Sequence, residues 1–153
     1  MLKNIPAVIA AALFLSGCGD VPQTAGEMRT ASNPMIAKSS VMVSRSPNTV
    51  AAALDRGARQ CLNKDAELTF RRSTQYGIQS TTIRHYYRSQ LRRAGSGRSE
   101  LMIYKTTTGA ITPGALDGRH LAYLVDVIPA GGGTRLNIYG GKMGYGDLNA
   151  SVV

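Results

Sequence analysis

Hydrophobic residues are spaced in three different ways along this chain. Ile5 to Leu15 is an apolar run of 11 residues behind one cation, Lys3. A membrane-spanning helix needs about 20 apolar residues, so this run is too short to cross. It fits the hydrophobic region of a secretory signal. Residues 19–45 keep no sustained period and are rich in Ser, Thr, Ala, Gly, Pro and Met. They read as a flexible tether of roughly 25–30 Å root-mean-square length. Met35-Ile36 and Val41-Met42-Val43 are the places in it compatible with a short strand.

From residue 47 the period becomes helical. Val50, Ala53, Leu54, Gly57, Ala58, Cys61 and Leu62 recur every three or four residues, with Arg56, Arg59 and Gln60 on the other side. That is the apolar face of a helix over 47–62. Ser46-Pro47 supplies its N-cap and first residue. Cys61 falls on the stripe and reads as a small buried core residue.

The period then changes to two. Ala66, Leu68 and Phe70 alternate with Glu67, Thr69 and Arg71, the pattern of a strand. Residues 73–80 read as a polar turn. Residues 81–93 fit two patterns. A strand would put Ile83, His85, Tyr87, Ser89 and Leu91 on one face. A helix would group Ile83, Tyr86, Tyr87, Gln90, Leu91 and Ala94. Thr, Ile and Tyr in the first half favour the strand. Ala94 to Gly97 is a hairpin loop leading to a strand over 100–105, and 107–118 is a loop. Residues 119–128 and 134–139 form a second hairpin about Pro129 to Gly133, and Asp147 caps a short C-terminal helix. The expected fold class is α+β: one N-terminal helix packed on a mainly antiparallel sheet of four to five strands.

The apolar run at the N-terminus ends in Leu15-Ser16-Gly17-Cys18. This resembles the lipobox of bacterial lipoproteins, over about 18 residues. The resemblance implies a diacylglyceryl group on the Cys18 thiol, cleavage just before Cys18 and acylation of the new amino group. Two or three acyl chains on one residue anchor stably, where one chain does not. It also implies three regions: a signal peptide at 1–17, lipidated Cys18 and a tether to 45, and one domain at 46–153. Gly19, rather than Asp, follows the cysteine, which by the family's sorting rule points to the outer membrane, with the domain facing the periplasm. A thioether at Cys18 would leave Cys61 without an intramolecular disulfide partner. The helix-then-sheet order with a late Gly-rich hairpin also resembles small uncharacterised Gram-negative lipoproteins, a likeness that transfers no function.

Composition narrows the classes. At 153 residues, one domain is the prior. With 43% hydrophobic and 18% charged residues and 2 Cys, the chain is neither disordered nor a disulfide scaffold. Its net charge of +9 bears on partners, not on fold.

Catalytic patterns are weak. His85 and His120 lie in separate segments without Cys, Asp or Glu at metal-like spacing. Asp126, between Val125 and Val127, reads as the solvent side of its strand. No serine sits in a Gly-x-Ser-x-Gly elbow. Gly140-Gly141-Lys142 lacks the earlier glycine and the following Ser or Thr of a phosphate loop. The reading is non-enzymatic, with no catalytic residue, metal or cofactor.

Arg84, Arg88, Arg92 and Arg93, with Arg98 and Tyr86-Tyr87 nearby, form a basic stretch suited to anions. An envelope location argues against nucleic acid. The expected function is therefore a membrane-anchored module for protein interaction or assembly, with an envelope protein as partner. The alternative is a module that binds an anionic envelope polymer or lipid headgroups through the arginine face.

Overall fold

The computed structural model describes residues 21–33, 36–109 and 118–141. Cys18, most of the 107–118 loop and the expected C-terminal helix lie outside them. The order of elements is α1 (Ala25–Thr30), β1 (Ile36–Val43), α2 (Pro47–Cys61), β2 (Asp65–Thr74), β3 (Gly77–Arg93), β4 (Ser99–Thr108), β5 (Gly118–Ala130) and β6 (Gly133–Gly141). All strands pair antiparallel in one sheet of order β1-β6-β5-β4-β3-β2.

Strands dominate, so the fold is mainly β. Among the described residues, the expected single helix on four to five strands becomes six strands and two helices. The additions come from the segment read as tether. Residues 18–45 contain α1 and β1, so the folded unit begins well before 46. The sequence allowed only short strands at 35–36 and 41–43, and the full β1 carries a weak pattern because an edge strand needs little apolar surface. Lys38, Ser39 and Ser40 are exposed at its centre, and Ile36, Val41 and Val43 are only half-buried.

α2 starts as its sequence predicts. The Ser46 hydroxyl accepts from the Thr49 amide at 3.4 Å, with Pro47 at the first position. A 15-residue helix is about 22 Å long, and six strands are about 24 Å wide. The helix therefore carries the chain across one face, from the β1 edge toward the β2 edge. Val50, Ala51 and Ala58 bury against Leu101, Val125, Val127, Leu136 and Ile138, fringed by Val43, Leu54, Leu62 and Leu91. Cys61 is exposed, not buried. It lies about 100° around the helix from Leu62, which closes the buried stripe.

The other face is covered as well. Ala25 and Met28 of α1 pack on Met102, Leu121 and Leu124, beside Ile36, Tyr104 and Tyr139. This explains the unbroken apolar run Leu101-Met102-Ile103, buried on both sides of the pleat. A register shift at Ile103/Tyr104 sets Leu121 opposite Tyr104 and Tyr123 opposite Ile103. At this bulge the Leu121 amide leaves the ladder and donates to the Pro22 carbonyl at 2.8 Å. The chain is thereby pinned just ahead of α1.

Residues 81–93 are strand, within β3. Only Arg84–Arg93 pairs with β4. Gly77 to Ile83 pairs with β2 alone, so the β2–β3 hairpin projects beyond the sheet as a two-stranded arm. The polar stretch 73–80 is mostly strand, turning only at Gln75-Tyr76, with Gly77 at φ +118°. Gly109 closes β4 at the foot of the arm, at φ +79°, where an added Cβ would meet the Thr82 carbonyl oxygen. Gly109→Ala is expected to lower stability by about 1–3 kcal/mol, read by urea unfolding.

Candidate functional site

Arg84, Arg88 and Arg92 share one face of β3, as alternation requires. Each already has a carboxylate. Arg84 Nε donates to Glu67 at 3.0 Å, Arg88 Nη1 to Asp65 at 2.8 Å and Arg92 Nη2 to Glu100 at 2.6 Å. Strand pairing supplies these partners, since β2 sets Glu67 directly opposite Arg84 and β4 sets Glu100 opposite Arg92. Arg93, the next residue in a regular ladder, faces the opposite side. The four arginines are therefore not one free cationic face.

The most concentrated chemistry is a buried ionic cluster. Glu100 and Asp126 are directly opposed on β4 and β5, and their side chains are 1% and 3% exposed. Two like charges in that position repel. Arg29 of α1 spans them with its planar fork. Its Nε and Nη2 donate to the Asp126 oxygens at 2.8 and 2.5 Å, and Nη2 also reaches Glu100 at 2.5 Å. Arg92 and Arg98 complete the shell of Glu100. Burial pushes the Glu100 carboxyl up, but hydrogen bonds from Arg92 and Arg29 outweigh it and hold it below the usual range. The Asp126 bonds drive the Arg29 guanidinium further up, against the opposing effect of burial.

Asp126 was expected on the solvent side of its strand. It is buried because α1 covers that side. Arg29 carried no signal of a role, because it lay in the supposed tether. The available signal was the pair of carboxylates set among apolar residues, Glu100 before Leu101-Met102-Ile103 and Asp126 within Leu124-Val125-Asp126-Val127.

On the opposite face, past the end of α2, strand register gathers three basic side chains. His85 lies across from Thr107, with Nδ1 and Oγ1 3.1 Å apart. Lys105 lies between Tyr87 and His120 on the neighbouring strands, its Nζ 5.8 Å from the Tyr87 ring centroid. Burial lowers the pKa of both histidines, and Lys105 lowers them further. Burial also lowers that of Lys105. Among the described residues no three His, Cys, Asp or Glu are grouped to hold a metal.

Compared with known proteins, the chain matches no family model, no curated sequence and no solved structure.

Two outcomes are expected. Arg29→Met should cost about 3 kcal/mol, because Asp126 is left buried without a counter-charge. Arg29→Met combined with Asp126→Leu should cost less than the single change. A double-mutant cycle in urea checks this, and strict additivity would contradict the ionic clamp.

The second concerns pH. His85 and His120 have folded values below the ordinary 6.5. The unfolded chain therefore takes up protons first, and stability falls as pH drops below about 6.5. Glu100, also lowered in the fold, contributes fully above about pH 4.3, and its share is lost as pH falls through the folded value. Melting temperature should decline from pH 7.5 to 5.5, and His85→Asn with His120→Asn should flatten that decline.

Proposed function

We propose that this chain is a lipid-anchored envelope protein of non-enzymatic type, an interaction or assembly module held at the outer membrane with its folded part in the periplasm. The observation that carries the reading is Leu15-Ser16-Gly17-Cys18 at the end of the apolar run. The fold is compatible with that placement. Pro22, four residues after Cys18, is pinned to the sheet through the Leu121 amide, so an acyl group on Cys18 would hold the folded body close to the bilayer.

Open sheet edges support a protein partner. Among the described residues β1 pairs only with β6, and β2 only with β3. Free strand edges are templates for an added strand. The pairing of Arg84, Arg88 and Arg92 with carboxylates weighs against that row as the anion-binding surface.

Cys18→Ser is expected to leave an uncleaved or soluble precursor, seen by membrane fractionation and intact mass. A variant processed and anchored like the original would refute lipid attachment. Capture of the tagged full-length chain from gently solubilised membranes should bring a reproducible set of envelope proteins. Recovery of the chain alone would count against the assembly role.

A further inference from the structure

We propose that the β2–β3 arm is a second membrane contact, whose tip enters the headgroup region of an anionic bilayer. The otherwise polar tip carries two large exposed side chains. Tyr76 is 88% exposed and Ile78 76% exposed, and Leu68 is partly exposed along the shaft. A bilayer interface would cover this tyrosine and isoleucine at the end of a ribbon, and tyrosine favours that interface.

The charge on the arm is of one sign. From Phe70 to Ile83 the sequence holds no Asp or Glu. Arg71 and Arg72 have no ion pair among the described residues, whereas Arg84 and Arg88 at the base are paired. Arg119 is likewise committed, stacked 3.8 Å over Tyr104. Arg71 and Arg72 lie opposite Ser80 and Gln79 in an unbroken ladder, so they face opposite sides of the ribbon. A flat protein surface would meet one of them. A headgroup layer surrounds an inserted tip and offers phosphates to both.

Strand register sets the root of the arm near the N-terminal attachment. Pro22 is bound at Leu121, on the row of Tyr104 and Arg88, four residues along β3 from Arg84, where the arm leaves the sheet. From that row to Tyr76 the arm runs about 40 Å at strand spacing. The four residues from Cys18 to Pro22 reach at most about 14 Å. A lipid on Cys18 would thus sit within reach of the arm's root, and the tip meets the same bilayer when the arm lies along its surface. This geometric part rests on the lipid-anchor reading; the exposed tip and its charge do not.

The test uses the mature chain with Cys18→Ser, so that no acyl chain contributes. The protein has no Trp, which makes Tyr76→Trp a unique reporter. Vesicles of phosphatidylcholine with phosphatidylglycerol should bind this chain, shift the emission to the blue and release it in high salt. Vesicles of phosphatidylcholine alone should bind far less. Arg71→Ser with Arg72→Ser should weaken binding about 30-fold. Arg56→Ser with Arg135→Ser, an equal loss of charge at exposed positions off the arm, should weaken it less than about threefold.

No blue shift, equal loss in the two double variants, or binding to peptidoglycan but not to anionic vesicles would each overturn the proposal. Circular dichroism confirms that each variant is folded. Lipid attachment is read separately, from the mass of the wild-type chain extracted from membranes. Its failure would leave the vesicle result standing.

Discussion

The structure depends on one side chain, Arg29, lying between two buried carboxylates. Glu100 and Asp126 face each other near the centre of the sheet, where neither can be hydrated. Both charges are tolerable only because a guanidinium spans them and two further arginines neutralise Glu100. A buried pair of this kind is not by itself a strong stabiliser. Its effect is specificity: only a chain that lays α1 across this face satisfies both carboxylates.

That constraint organises what lies around it. With α1 in place, Met28 and Ala25 close over Met102, Leu121 and Leu124, and the Pro22 carbonyl takes the amide that the bulge sets free. The sheet then has a cover on each face, long and amphipathic in α2, short and ionic in α1. The segment that would connect a lipid to the domain is therefore largely domain. A lipid on Cys18 would therefore hold the body close by rather than on a long leash.

Charge is divided the same way. The three arginines on one face of β3 are matched to carboxylates by strand register, at Arg84–Glu67, Arg88–Asp65 and Arg92–Glu100. Where the β2–β3 hairpin outruns β4, register with acidic neighbours ends, and Arg71 and Arg72 stand beside exposed Tyr76 and Ile78. The excess positive charge of the chain thus reaches solvent partly on a projecting arm.

Local rules determined much of this from sequence. Ser46-Pro47 and the three-and-four spacing set α2, since capping and amphipathicity act within a few residues. Alternation set β2, β5 and β6, the Thr, Ile and Tyr content favoured strand over helix for 81–93, and as a strand that segment puts Arg84, Arg88 and Arg92 on one side. The apolar run and its ending at Cys18 carry the proposed function, because a signal of that kind would be read by enzymes before the chain folds. Only the tertiary structure decided the rest. β1 exists because β6 offers it a ladder, not because its own residues demand one. Cys61 is exposed because the buried stripe of α2 passes to one side of it. Asp126 is buried because a helix distant in sequence covers it, and the arginines are spent because neighbouring strands bring carboxylates alongside. Burial and charge pairing are properties of what lies across the gap, and no spacing within one segment encodes that.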